Sequence, residues 1–265
     1  MLNIVIIGYG AIGQYAFTKL RKMTGAHVSS ALCREGREEQ ARAALGDGCT
    51  VYTNVGALPD DIDLAIDCAG HGALAQHGPE LLNRGIDVFT VSTGAMADNA
   101  LAGTLEDAAR RNGAQLTLLS GAVGGIDALS AARTGGLKQV TYTGRKPPSG
   151  WQGSAAEGVI DLSALTSATT HFTGSARDAA LKYPKNANVA ATIALAGLGL
   201  DETRVELIAD PEISGNIHEI EAFGEFGKFK LQIKGNPLPD NPRSSALAAM
   251  SIVRAVERKL DPVVV

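Results

Sequence analysis

The sequence predicts an α/β fold in two parts: a doubly wound parallel sheet, then a second α+β domain with a mostly antiparallel sheet. Three observations predict it. Apolar β-branched runs alternate with helix patterns over the first 120 or so residues. A glycine-rich turn, "GYGAIG" (8–13), joins the first such run to the first helix pattern. After Gly121 the texture changes to period-two alternation broken by short turns.

The elements follow in order. "LNIVIIG" (2–8) is a continuous apolar run, as expected for a strand covered on both faces. A helix is expected from Ala11 to Met23, a strand at 27–33 and a helix at 36–45. "DLAIDCAG" (63–70) reads as another buried strand, 72–85 as a helix and 86–93 as a strand. In 98–113, Asp98 is placed to cap a helix N-terminus and Gly113 its C-terminus. "QLTLLSG" (115–121) closes the first domain, 1–121.

The second domain is expected over 122–240. "LKQVTYTGRK" (137–146) alternates like an open-faced strand, and helices are expected around 175–200. "RVELIAD", "GNIHEIEAF" (215–223) and "KFKLQIK" (228–234) read as further strands. Pairing the last two as a hairpin puts Glu219 and Glu221 on the face of Lys228, Lys230 and Lys234. His218 and Ile220 then share the other, drier face with Phe229, Leu231 and Ile233. The tail 241–260 has Leu247, Met250, Val253, Val256 and Leu260 at helical spacing, and such a helix is expected to pack back on the first domain.

Composition narrows the function. A net charge of −4 leaves no basic footprint for nucleic acid. Cys33, Cys49 and Cys68 form no Cys-x-x-Cys pair, which argues against a disulfide framework and a zinc site, and no metal is expected. No basic stretch precedes an apolar one at the start, and no apolar run approaches the roughly 20 residues of a membrane span. The expectation is a cytoplasmic protein acting on a small molecule.

"GYGAIG" is G-x-G-x-x-G at a strand-to-helix junction, the setting of a Rossmann-type dinucleotide site. Gly8 permits the tight turn, Gly10 lets the backbone approach a pyrophosphate, and Gly13 lets the helix pack. Gly8, Gly10, Ile12 and Gly13 are therefore candidate cofactor contacts, with the anion at the helix N-terminus. No acid ends the second strand, where a ribose partner is expected. Arg34 stands there instead, suited to a 2′-phosphate or to stacking on adenine, or else a solvated charge. Glu35 next to it is the candidate for a ribose hydroxyl. NAD, NADP or both fit.

Three segments are more specific: "SGAVGGIDAL" (120–129), "KYPKNANVAATIALAGLG" (182–199) and "DPEISGNIHEIEAFGEFG" (210–227). With the glycine loop and "NPRSSALAAMSIVRA" (241–255), they resemble the L-aspartate dehydrogenase family over essentially the whole chain. The resemblance implies nicotinamide-dependent oxidative deamination of L-aspartate to iminoaspartate, which hydrolyses to oxaloacetate and ammonia. It also implies a supply of iminoaspartate for NAD biosynthesis. It maps the catalytic histidine to His218 and cofactor contacts to Ala122 and Asn188. From the strand pattern alone His218 is either a bonded core residue or a proton-transfer group. His71, His77 and His171 are its competitors, His71 first because it follows a strand end.

A dicarboxylate substrate needs partners of its own. The N–H groups of Gly124 and Gly125 could cradle a carboxylate, or the turn could be a plain crossover. Lys185 is the candidate cationic partner. It lies near Lys182 and Asn186, with surface solvation as the alternative for either lysine. Asn188 could cap the helix that follows. A homodimer is expected, using the open second sheet. The rival readings are a reductase of homoserine or dihydrodipicolinate type on the same plan, and a nicotinamide-responsive sensor without turnover.

Overall fold

Alternate residues of the first strand feed two different cores. In the computed structural model, which describes residues 1–46, 48–184, 186–239 and 241–265 with the backbone alone at 242 and 243, this strand is β1 (Leu2–Ile7). Ile4 and Ile6 pack with Phe17, Leu20, Ile252 and Val256. Val5 and Ile7 pack with Leu74, Leu81 and Leu105. A strand flanked by helices on both faces can expose neither set, which is why its sequence is a continuous apolar run rather than an alternating one.

The elements of this first unit are β1, α1 (Ala11–Leu20), β2 (Ala26–Leu32), α2 (Glu38–Leu45), β3 (Thr50–Tyr52), β4 (Leu64–Asp67), α3 (His71–Asn83), β5 (Asp87–Thr90), α4 (Asn99–Asn112) and β6 (Leu116–Leu118). The sheet runs β3-β2-β1-β4-β5-β6, and every strand pair is parallel. That order reverses direction beside β1, which puts the ends of β1, β2 and β4 around one crevice. Asp98 accepts from the N–H groups of Ala100 and Leu101 to cap α4, and Gly113 ends it in the left-handed conformation. The helix expected to reach Met23 stops at Leu20, because Lys22 and Met23 bond back three residues in a tightened turn before Gly25. The three-residue β3 has no sequence signal of its own and exists by pairing with β2.

The second unit, Ala122–Leu247, contains α5 (Ile126–Thr134), β7 (Leu137–Lys146), β8 (Thr169–Ser175), α6 (Ala176–Lys182), α7 (Asn188–Ala196), β9 (Arg204–Ala209), β10 (Asn216–Gly224), β11 (Gly227–Gly235), β12 (Pro237–Leu238) and β13 (Asn241–Ser245). Its main sheet runs β11-β10-β7-β9-β8. Only the β7–β9 pair is parallel. In the β10–β11 hairpin His218 pairs with Ile233, Ile220 with Leu231 and Ala222 with Phe229. Lys230 bridges Glu219 and Glu221 on the opposite face at 3.3 and 2.7 Å. The charged face is wet and the His218 face is dry, as the alternation requires.

The final helix, α8 (Ala246–Leu260), joins the first unit from Ala248 onward. Its seam keeps Val253, Val256 and Leu260 against the core, as expected, and differs in the first turns. Ala249, Ile252 and Val256 are buried, whereas Leu247 and Met250 are 36% and 46% exposed. The small Ala249 lets the helix axis approach the sheet, so the rotation that buries Ile252 turns Met250 outward. The expected helix start at 241 is also corrected: 241–245 pairs with β12 as a strand.

Candidate active site

The glycine turn of the first unit is sterically explicit. Gly8 has φ +88°, and a Cβ there would lie 2.8 Å from Ala69 Cβ. A Cβ on Gly13 would strike the Gly8 carbonyl oxygen, whereas one on Gly10 would meet nothing within 4 Å. The backbone thus closes on itself at Gly8 and Gly13 and is open at Gly10. Gly10 is also the N-cap of α1, with no side chain capping the helix and no acid in its first turn. The unfilled N–H groups of that turn suit an anion. Ile12 is half-buried against the core beneath.

A crevice of about 610 Å3 opens here, lined by Gly8, Gly10, Arg34, Arg37, Cys68 and His77, among others. Arg34 and Arg37 are both exposed. The Arg37 guanidinium donates to Gln40 Oε1 at 2.9 Å, an oxygen that Tyr9 also approaches at 3.3 Å. Glu35 is exposed and outside the lining. Arg37 was not singled out from the sequence, although it lies three residues beyond Arg34 in the same turn.

Beside the crevice, Asp67 ends β4 fully buried. It accepts from Thr90 Oγ1 at 2.7 Å, Ser92 Oγ at 2.6 Å and the Ala69 N–H at 2.9 Å. Burial raises its pKa while these donors oppose the rise. Asp67 thereby ties the ends of β4 and β5 to the turn that follows. His71 opens α3. His77 is buried within α3, and burial lowers its pKa against the opposing charges of Glu80 and Asp67.

In the second unit His218 is 4% exposed. Its Nδ1 lies 2.8 Å from the Tyr142 hydroxyl, and the two rings are inclined by 19°. Tyr142, Gly144 and Lys146 alternate along β7, and β10 sets His218 opposite Gly144. A Cβ at Gly144 would lie 2.6 Å from the Tyr142 hydroxyl oxygen, so glycine there is what lets the phenol reach the imidazole. Burial, helped by the Lys146 charge, lowers the His218 pKa to about 4, so the ring is neutral. Burial also pushes the Tyr142 pKa up and keeps its hydroxyl protonated.

Gly125 has φ +72° at the start of α5, and Gly124 lies against Ile233, the residue paired with His218. Ala122 is buried one turn earlier. Asn188 opens α7, while the cap position falls on Ala187, a shift of one residue from the capping role read in the sequence. Lys185 lies outside the described residues.

His171 is the other buried histidine of this unit. Its Nδ1 is 3.2 Å from the Tyr183 hydroxyl, and its Nε2 is buried with no hydrogen-bond partner among the described residues. A proton-transfer group needs an open nitrogen, and that of His171 is sealed. Tyr142 and Lys146 were not anticipated from the sequence. The signal was the alternation Tyr142-Gly144-Lys146, which acquires meaning only once the strand pairs with β10.

Residues 127–259 match the model described as aspartate dehydrogenase, C-terminal, and residues 8–119 match the homoserine dehydrogenase NAD-binding domain. An L-aspartate dehydrogenase from Ruegeria pomeroyi is 55% identical over 258 residues, covering 97% of this chain and 92% of the relative.

The chain belongs to the L-aspartate dehydrogenase family.

A second family member, from Ralstonia nicotianae, is 49% identical and covers 99% of both chains. The solved aspartate dehydrogenase of Thermotoga maritima aligns with a TM-score of 0.80 at 25% identity, covering 100% of this chain and 99% of that one. An amine dehydrogenase from Mycobacterium smegmatis, at 13% identity and TM-score 0.58, shares the fold alone.

Proposed function

We propose that this chain oxidises L-aspartate to iminoaspartate, which hydrolyses to oxaloacetate and ammonia, with NAD or NADP as acceptor and His218 as the proton-transfer group. The observation that carries the reading is the match of residues 127–259, the half containing His218, to the aspartate dehydrogenase model. The homoserine-type match is confined to 8–119, the half expected to hold cofactor rather than to choose substrate.

A bound nicotinamide dinucleotide supplies the hydride acceptor. The open backbone at Gly10, the closed one at Gly8 and Gly13, and the uncapped start of α1 suit its pyrophosphate. Ile12 lies in the same turn. Arg34 and Arg37 suit a 2′-phosphate, which favours NADP use alongside NAD. Ala122 and Asn188 are the proposed contacts from the second half of the chain.

His218 then does the proton work. With Nδ1–H donating to the Tyr142 oxygen, Nε2 keeps its lone pair for the substrate amine or for the water that attacks the imine. A histidine with a pKa of about 4 is a weak base. The substrate's carboxylates brought near it favour the imidazolium and draw the pKa toward the working range. Gly124, Gly125 and Lys185 are the carboxylate partners read from the sequence, and the two glycines lie outside the lysine-lined cavity of this unit. Reversibility, a supply of iminoaspartate to NAD biosynthesis, a homodimer and a cytoplasmic location belong to the same reading. Its support here is family membership and, for the location, three free cysteines.

The test is reduced-nicotinamide formation from L-aspartate with NAD and NADP in parallel, on the parent and on His218→Ala. The variant is expected to bind cofactor normally and to lose about 100-fold or more in kcat. Turnover of homoserine but not aspartate by the parent would favour the reductase reading, and turnover by the variant near the parent's would remove His218 from the chemistry.

A further inference from the structure

Lys146 and Lys182 line one cavity of about 770 Å3 in the second unit, with Tyr183, Asn186, Asn216 and Ser245 among the residues around them. No aspartate or glutamate among the described residues lines it. Three other lysines of this unit are neutralised: Lys138 pairs with Glu225, and Lys228 and Lys230 pair with glutamates of β10, whereas Lys234 on β11 lies outside this cavity. Lys146 and Lys182 pair with no carboxylate of the described residues.

Each ammonium faces aromatic rings instead. Lys146 Nζ lies 4.9 Å from the Trp151 ring centroid and 3.4 Å from Asn186 Oδ1. Lys182 Nζ lies 5.9 Å from the centroids of both Phe172 and Tyr183. A ring face attracts a cation without cancelling its charge, so both remain free for an anion.

The rings form a fixed block. Trp151 is fully buried, and its indole N–H donates to the Ile208 carbonyl at 3.0 Å. His171 meets Trp151 edge-on at 4.3 Å and reaches the Tyr183 hydroxyl. Phe172 packs against Tyr183 at 5.5 Å. His171 thus joins the seat of one ammonium to the seat of the other. Its burial is explained by this structural role, without a part in proton transfer.

Two further observations describe the ligand. Lys146 is half-buried, and desolvation of its ammonium holds the pKa down to about 8, so the charge gains by acquiring an anionic partner. Lys146 stands two residues beyond Gly144, the residue opposite His218, on the same face of β7, and its charge is felt at both His218 and His171, whereas that of Lys182 is felt at His171.

We infer that this cavity is a dicarboxylate subsite, in which Lys146 takes the carboxylate beside the reacting carbon and Lys182 takes the distal one. Lys182 is then the residue that selects a four-carbon dicarboxylate over a monocarboxylate of equal length. The assignment of the two ends rests on the proposed role of His218. The binding of a dianion does not.

The experiment is calorimetric titration of the full chain, saturated with reduced dinucleotide, with succinate and with butyrate. Aspartate kinetics are measured on the same samples. The parent is expected to bind succinate about tenfold or more tightly than butyrate, the worth of one charge-assisted contact. Lys182→Met should weaken succinate by about tenfold, leave butyrate unchanged, and raise the aspartate KM with kcat nearly constant. Lys182→Arg should keep the preference. Lys146→Met should weaken both ligands. A succinate-to-butyrate ratio unaltered in Lys182→Met overturns the subsite, and because Lys182 is exposed at a helix end that variant is expected to fold. A parent that shows the preference and its loss in Lys182→Met, yet does not turn over aspartate, keeps the subsite and rejects the proposed reaction.

Discussion

The Tyr142 hydroxyl stands 2.8 Å from His218 Nδ1, and both side chains are buried. The bond fixes which way the ring faces and stabilises an imidazolium when one forms. Tyr142→Phe removes the oxygen and leaves Nδ1 buried without a partner. The expected loss is about 1–3 kcal/mol of stability and about tenfold to a hundredfold in kcat, with cofactor binding preserved. Thermal melts and steady-state rates on one preparation check both. A variant that melts lower but keeps its kcat would make Tyr142 a packing residue.

The sequence disclosed the parts of the fold that a single strand or helix dictates by itself. The uninterrupted apolar run of Leu2–Ile7 demands cover on both faces, and the hairpin of β10 and β11 follows from opposing charge and apolar stripes. What stayed hidden depends on partners distant in sequence. β8 is "TTHFTGS", too polar to read as a strand, and it forms because β9 offers an edge. The seam of α8 was misjudged because Leu247 and Met250 outrank Ala249 in hydrophobicity, whereas the sheet surface selects the small residue. At the site, His218 was legible through a family motif. Tyr142 and Gly144 were not, since their tie to it spans 76 residues and exists only in the β7–β10 register.

Acid should destabilise the protein through its histidines. His171 and His218 are held near pKa 4 in the fold, chiefly by burial, against 6.5 when unfolded. Between those values the unfolded chain binds protons that the native state refuses, so stability falls as pH falls from about 6.5 toward 4. The slope is about 1.4 kcal/mol per pH unit for each histidine. His77, whose pKa burial also lowers, adds in the same direction. Urea denaturation at pH 7.5, 6.5 and 5.5 should show the decline, and His171→Gln should make it shallower. Stability that rose on acidification would contradict the buried neutral state.

Arg34 and Arg37 line the same crevice from one turn after β2. If both guanidiniums meet a 2′-phosphate, replacing either with alanine should raise KM for NADP by about tenfold and leave NAD within about twofold. The double variant should prefer NAD. Arg37 is already engaged by Gln40, so Gln40→Ala should loosen that guanidinium and raise KM for NADP slightly. Parallel KM values for the two cofactors at fixed aspartate decide it. An equal rise for both would place the arginines on adenine or on the pyrophosphate.

Gly144 offers the sharpest separation of geometry from composition at the site. A methyl group there would lie 2.6 Å from the Tyr142 oxygen, 3.0 Å from its Cζ and 3.3 Å from Leu207 Cδ2. The leucine can turn aside, but a buried phenol held beside a histidine can yield only by leaving it. Gly144→Ala should therefore cost about 1–3 kcal/mol of stability by overpacking, and it should reproduce the kcat loss of Tyr142→Phe without removing the hydroxyl. The double variant Gly144→Ala/Tyr142→Phe removes the nearest of the atoms that the methyl group strikes. Its kcat should match that of Tyr142→Phe alone, because one broken contact underlies both effects. Losses that multiplied in the double variant would show that Gly144 serves the site by another route.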